Sequence, residues 1–440
     1  MRVCHGLSAV FDDPNLVSCA GLAPVLQLAE RAGLQRLVDE HVELGKPGGV
    51  NAHLKIPALV AGMVAGADSI DDMALLRHGA MRRLFTGTRA PSTLGTFLRA
   101  FTFGHVRQLD AVASRLLVTL AREAPLLPGA AELAYLDVDD TLKQTYGYAK
   151  QGAGRGYTGV KGLNALLAIV STPTSAPVIA AARLRKGGAN SARGAHRFVT
   201  DALRTARKAG ASGVLVLRAD SADSADSADS ADYGHDIIAA TLRQDACFSI
   251  TARQDKAVRK AISNIGDHAW TTINYTDAIF DQDSQQWISD AQVAEIDYTA
   301  FTSKPKATHI KARLIVRRVK DMNPHNQSEL FTAYRYHAVF TNSPLPMLAA
   351  EKAHRAHAII EQVIADLKNG PTARAATAAT TPPVVLTWAR WLARLVATPN
   401  KPTNLRRRRG RKKGTNRTSR SGKWCLTKSR RSGASLSRIR

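Results

Sequence analysis

Acidic side chains are scarce in this sequence. Asp and Glu number 36 against 61 Lys and Arg in 440 residues, a formal net charge of +25 at pH 7. An imbalance of that size points to a polyanionic partner, nucleic acid before an anionic membrane surface. Long hydrophobic runs are also missing. No apolar stretch approaches the ~18 residues of a spanning helix, so no membrane association is expected. Cysteine is sparse and scattered (Cys4, Cys19, Cys247 and Cys425), with no C-x-x-C pair and no histidine at zinc spacing. That excludes a disulfide framework and a cysteine-based zinc site. No Gly-x4-Gly-Lys-Ser/Thr occurs, which argues against a nucleotide P-loop. The opening MRVCHGLSAVFDDPN meets Asp12 and Asp13 too early for a secretory signal, so a cytoplasmic location is expected. What is present is ordinary for a globular chain, 45% hydrophobic and 22% charged. Its length exceeds what one core usually organises, and more than one structural unit follows.

The positive charge is concentrated at one end. Residues 401–440 hold sixteen Lys and Arg and no acid, including the run LRRRRGRKKG at 405–414, which leaves +9 for the first 400 residues. With so few apolar side chains, 371–440 is expected to be a basic tail without a packed core, able to add salt-sensitive phosphate contacts. Upstream, LAPVLQLAERAGLQRLVDEHV and TLGTFLRAFTFGHVRQLDAVASRLLVTLARE repeat apolar residues at three and four, so 1–130 is expected to be a helical region for DNA binding or dimerisation. From 131 the pattern turns to strands: AELAYLDVDDTLKQTY, LNALLAIVS and PVIAAARLRKG. Helix, strand, helix and strand follow through ARGAHRFVTDALRTARKAG, SGVLVLRAD, HDIIAATLRQDA and CFSITAR. This order predicts a mixed five-stranded sheet with helices on its faces, an α/β class. Residues 256–342 read as an inserted all-β segment. A strong helix, PLPMLAAEKAHRAHAIIEQVIADLKNG, closes the region at Gly370.

Three acids stand out by position. In LDVDDT, Asp137 and Asp139 alternate with Leu136 and Val138, so both carboxylates leave the same face of a strand. Asp220 directly follows the strand VLVLRA. Glu361 lies mid-helix. Ligands of open α/β sheets gather at the carboxyl ends of strands, and clustered carboxylates suit Mg²⁺. Against this, strand-end aspartates are often turn formers and mid-helix glutamates are usually solvated. Spacing alone leaves both readings open.

The motifs GADSIDDMALLRHG, APSTLGTFLRAFTFGHVRQLD, LDVDDT, RADSAD…YGHD and HRAHAIIEQVIADLKNG occur in that order between residues 20 and 370. In this the chain resembles bacterial insertion-sequence transposases of the DDE type. The resemblance implies an RNase H-like catalytic domain over 131–370 with the β insertion before its last helix. It implies Asp139, in an Asp-x-Thr context, as the first catalytic and metal-binding acid, with Asp137 as its near alternative. Asp220 and Glu361 are the second and third. Two Mg²⁺ ions, with Mn²⁺ as a substitute, are the implied cofactors, and they would serve cleavage at element ends and strand transfer into a target. The implied partners are double-stranded DNA, as terminal inverted repeats and target, and a second copy of the chain in a homodimer bridging two ends. A bacterial, nucleoid-associated location goes with them.

Two departures bear on that assignment. SADSADSADSAD at 221–232 stands where such enzymes have a short turn, so counting back from YGHD selects Asp229 as an alternative to Asp220. A strand gives Asp220 the firmer support. The final helix of these enzymes carries Tyr-x2-Arg-x3-Glu-x6-Lys; here the spacing is kept by His354, His357, Glu361 and Lys368. Lys368, His357, His354 and Arg355 are the implied DNA contacts, and neutral histidine lacks arginine's phosphate fork. Zinc at His354 and His357 is disfavoured by i,i+3 spacing without cysteine. Beyond Gly370 the chain departs from the family pattern, consistent with an altered or decayed end. Rival readings are a catalytically inactive DNA-binding relic and a plain nuclease. Among other candidates, Arg155 and Lys161 read as a solvated hairpin, or as phosphate contacts carried on a glycine turn. Trp270 and Trp287 read as packing for the insertion before stacking on a flipped base at a cleaved end. Arg313, Arg317, Arg318 and Lys320 read as a basic strand suited to DNA backbone contact or to a wet sheet face.

Overall fold

The computed structural model describes residues 13–45, 47–67, 69–145, 151–156, 159–189, 193–220, 229–320 and 333–369. The amino-terminal part forms helices α1 (Leu22–Arg31), α2 (Leu34–His41), α3 (Ala52–Val64), α4 (Met81–Leu84), α5 (Pro91–Ala100) and α6 (Val106–Glu123). Gly33 separates α1 from α2 in the left-handed region at φ 81°, where a side chain would be strained. Pro91 opens α5, its fixed φ already helical. The periodic run 93–123 reads as one helix but is divided. The chain extends at Phe101, whose ring packs edge-on against buried Phe97 at 5.2 Å. The Thr102 backbone N–H donates to His105 Nδ1 at 2.9 Å, and this closes the turn before α6. Aromatic packing and a local side-chain acceptor outweigh helical continuity here.

The sheet is built from β1 (Leu133–Gln144), β2 (Gly154–Arg155), β3 (Lys161–Ser171) and β4 (Val178–Lys186). Helix α7 (Ala195–Lys208), β5 (Val214–Ala219), α8 (Asp229–Leu242) and β6 (Cys247–Thr251) follow. Strand β1 lies between β3, antiparallel, and β5, parallel; β4 pairs with β3 and β6 runs parallel to β5. Order β4-β3-β1-β5-β6 is the expected mixed five-stranded sheet of an RNase H-like fold. Strands β1 and β5 lie at its centre, with nearly every residue of β3 buried. The apolar side chains of α1–α6 and of this sheet form one continuous core.

The segment 256–342 does not start as β structure. It opens with helix α9 (Lys256–Ser263), because Asp255 caps it by accepting from the Val258 N–H at 2.8 Å. After β7 (Thr271–Thr272) and the separate hairpin β8 (Ile279–Asp281)–β9 (Gln286–Ile288) come β10 (Ala291–Ala300), β11 (Ile310–Lys320) and β12 (Tyr334–Thr341). Strand β12 pairs with the free edge of β6, Val339 opposite Thr251, so the insertion prolongs the main sheet to ten strands. Its basic strand is largely paired internally. Arg313 bridges Glu295 at 2.8 Å, Arg317 approaches Glu351 at 3.5 Å, and Lys320 approaches Asp290 at 3.7 Å. Arg318 stacks on Trp270 at 4.2 Å, which makes that tryptophan a packing residue; Trp287 packs on Phe280 within the hairpin. Arg155 donates to the Gly159 carbonyl, as a hairpin side chain would.

An ion-pair cluster ties α6 to the sheet. Arg183 of β4 lies 3.2 Å from Asp110 of α6 and 3.0 Å from Asp201 of α7. Burial pushes the Asp110 carboxyl up to about 6, against the pull of Arg183 and Arg107. An aspartate whose folded pKa exceeds its unfolded value holds its proton more tightly in the fold. Stability is therefore lost as pH rises from about 3.8 to about 6 and regained on acidification. Asp110→Asn is expected to be the more stable protein at pH 7, by on the order of 2 kcal/mol, with the difference gone near pH 4. Urea unfolding at the two pH values checks this, and identical profiles for both proteins would refute it.

The last described elements are α10 (Met347–Arg355), a 3₁₀ turn at Ala356–Ala358, and α11 (Ile359–Asn369). Ile360, Val363 and Ile364 of α11 are buried in the core, and the helix lies against β1. Gly370, the repeat residues 221–228 and the basic tail fall outside the described residues. Among the described residues no helix is long and apolar enough to cross a membrane, and Cys19 and Cys247 are free thiols.

Candidate active site

Side chains two apart on a strand share a face, and the registers of β1, β5 and β6 line up two rows on one face. Asp137 pairs with Arg218, and Arg218 with Ser249, across the three strands. One step beyond the Val138–Ala219 and Ala219–Ile250 pairings come Asp139, Asp220 and Thr251. The first row faces α10 and its 3₁₀ turn. The second lies at the carboxyl end of β5, where an open α/β sheet holds its ligands.

The first row is sealed. Asp137 is 0% exposed and Arg218 2%. Arg218 Nε and Nη2 donate to the two Asp137 oxygens at 2.6 and 2.7 Å, and its Nη1 donates to the Ala353 carbonyl of α10. The guanidinium lies over the Tyr135 ring at 4.1 Å. His357, 6% exposed, donates from Nδ1 to Asp137 Oδ1 at 2.9 Å. Burial alone would push the His357 imidazole down, but the Asp137 hydrogen bond and the charges of Asp137 and Asp220 lift it above its usual value. Asp137 is thus neutralised and fully bonded within the protein.

The second row is different. Asp139 accepts from the Asp140 N–H at 2.7 Å. Burial, then the neighbouring charges of Asp140 and Asp220, push its carboxyl up, with that backbone bond and His357 pulling the other way. Asp220 accepts from the Thr251 hydroxyl at 2.8 Å. Thr251 Oγ1 has one proton, and it goes to Asp220. The 3.1 Å contact from His354 Nε2 is therefore an N–H donated to that oxygen, which leaves His354 Nδ1 to accept from the Ser249 hydroxyl at 3.0 Å. A neutral imidazole follows, in agreement with burial pushing its pKa down to about 4. Asp140 faces elsewhere: it accepts from Asn164 at 3.0 Å and from Arg185 at 2.9 Å.

Asp139 and Asp220 thus lie on neighbouring strands, close enough for the charge of Asp220 to act on Asp139, while Asp137 lies one row back in a salt bridge. Asp229 begins α8, beyond residues 221–228, and its side chain is not among those described. Glu361 does not join the pair. It is exposed in the first turn of α11, and among the described residues no group of three His, Cys, Asp or Glu is arranged to hold a metal ion. His354 and His357 point into the protein, to β6 and β1. Arg355 pairs with Glu351 at 2.8 Å, and Lys368 is exposed. Arg218, Ser249 and Thr251 are components that motif reading passes over. The signal for Arg218 is its place two residues before Asp220, which assigns both to one face.

The donor chemistry suits a hard divalent cation. The charge of Asp220 adds to the cost of ionising Asp139, a conflict that a divalent cation would relieve. None of the curated proteins compared with the chain matches it. Residues 5–380, with both rows and the final helix inside them, match the model of the transposase DDE domain group 1 family, and the chain belongs to that family of DNA-acting, metal-dependent enzymes.

Proposed function

We propose that the protein cleaves DNA at the ends of an insertion sequence and transfers the freed strand into target DNA. The observation that carries this reading is the placement of Asp139, mid-strand in β1, beside Asp220, just past the carboxyl end of β5, with the final helix that bears Glu361 and Lys368 packed against β1. Asp139 and Asp220 would hold Mg²⁺, two ions once Glu361, exposed on the first turn of α11, is drawn to them with bound DNA, and Mn²⁺ would substitute. Bound there, the pair would stabilise charge on the attacking and leaving oxygens of a phosphodiester. Thr251 fixes the Asp220 carboxylate by donating to Oδ1, and His354, neutral near pH 7, fixes Thr251 in turn. Exposed Lys368 is suited to a DNA phosphate, and the excess of basic residues would draw duplex to the surface. Terminal inverted repeats and target DNA are the proposed substrates, held by a homodimer that bridges two ends.

A plasmid carrying the gene with its flanking sequence, incubated with the purified chain and Mg²⁺, tests the reading against a Glu361→Gln control. Nicks at the element ends followed by joined products are expected from the wild type alone. Cuts without joined products would indicate a nuclease, and no cleavage above control would indicate an inactive DNA-binding protein. Either result overturns the proposal.

A further inference from the structure

We infer that Arg218, together with Asp137 and His357, is a positioning clamp that seats α10 and the 3₁₀ turn leading into the final helix on the two catalytic strands. The inference rests on reading Asp139, Asp220 and Glu361 as the reactive carboxylates, and it adds the device that sets their spacing. Replacing a buried ion pair by apolar residues is often neutral or stabilising, so burial of Arg218 and Asp137 is not explained by stability. Geometry explains it better. The planar fork of Arg218 reaches both oxygens of Asp137 on β1 and the Ala353 carbonyl on α10 at once. His357, four residues further along, returns to the same carboxylate at 2.9 Å. Four hydrogen bonds thus join β1, β5, α10 and the 3₁₀ turn, and Tyr135 backs the guanidinium plane.

The clamp lies next to what it would position. Asp137 precedes Asp139 by two residues and Arg218 precedes Asp220 by two, one strand repeat of roughly 6.7 Å in each case. His357 precedes Glu361 by four, about one helical turn. Asp137 and Arg218 are therefore each one strand repeat from a proposed catalytic carboxylate, and His357, in the 3₁₀ turn, lies one turn ahead of exposed Glu361 on α11. Lysine cannot replace this arginine, because a single ammonium lacks the fork that spans a carboxylate and a separate carbonyl.

The test uses the full chain and two variants. The first is the double variant Asp137→Leu, Arg218→Met, which removes both charges together and so avoids an unpaired buried ion. The second is Arg218→Lys. Amide hydrogen exchange is measured without DNA or metal, and single-turnover cleavage of the element-bearing plasmid is measured with Mg²⁺. Expected for both is exchange at least ~10-fold faster over residues 353–369, with the amides of β1 and β5 unchanged, as for a local opening. Cleavage should fall ~100-fold with DNA affinity within about threefold of wild type, a loss in the chemical step and not in binding. Wild-type exchange over 353–369 in either folded variant overturns the clamp, and so does faster exchange spread evenly over the sheet. If the wild type itself shows no cleavage, the transposition reading fails, while the exchange result still decides the clamp.

Discussion

Asp139→Asn and Asp220→Asn are each expected to abolish DNA cleavage without harming the fold. An amide keeps the shape of the carboxyl and loses the anionic oxygen that a divalent cation requires. Several kcal/mol of transition-state stabilisation then disappear, a fall on the order of 10³-fold or more in single-turnover rate. Stability should move the other way for Asp139. Its carboxyl is pushed up by burial and by the charges of Asp140 and Asp220, so its folded pKa exceeds the unfolded one. By linkage, the ionised form costs stability once pH rises past the unfolded value. Asparagine mimics the protonated form, and Asp139→Asn should unfold in urea no earlier than the wild type at pH 7. Asp220→Asn keeps an oxygen to accept from Thr251, so His354 retains its partner. Activity within tenfold of wild type in either variant would remove these aspartates from the chemistry.

Much of this site could be read from residue order because strands have a period of two. The alternation in LDVDDT places Asp137 and Asp139 on one face, and the same rule applied to VLVLRAD places Arg218 with Asp220. That rule does not say which of two same-face aspartates meets the reactants. What tells them apart is Arg218 and His357, more than eighty and two hundred residues away, which bond both oxygens of Asp137, whereas Asp139 accepts, among the described residues, from one backbone N–H. Histidine at 354 and 357 misleads for a related reason. The motif spacing suggests side chains offered to DNA, whereas Ser249, Thr251 and Asp137 supply polar partners inside the protein. The strands of 256–342 were legible as strands, but their membership of the main sheet was not. It depends on β12 finding the open edge of β6, a pairing between Thr251 and Val339 that no local pattern encodes. Helix α9 is not legible in the pattern because eight residues hold few apolar repeats, and its start depends on a cap at Asp255.

The second large effect separates the sealed row from the open one. Asp137→Asn, two residues from Asp139→Asn and equally isosteric, is expected to destabilise the protein by about 3–5 kcal/mol, since it strands the buried Arg218 cation. Arg218 is 2% exposed, and its only ion-pair partner among the described residues is Asp137. Asparagine can accept one of the two guanidinium hydrogen bonds, and it offers no negative charge to either Arg218 or His357. Its amide N–H₂ would also face donors, with no acceptor at hand. If the cost arises from the unpaired charge, Arg218→Met placed in the Asp137→Asn background should recover most of the lost stability, because the two substitutions share one interaction and are not additive. Urea unfolding of the four proteins in that cycle measures the coupling directly. Below about 1 kcal/mol, a value typical of exposed pairs, Asp137 would be no more than a solvated carboxylate and Asp139 would lose its claim over it.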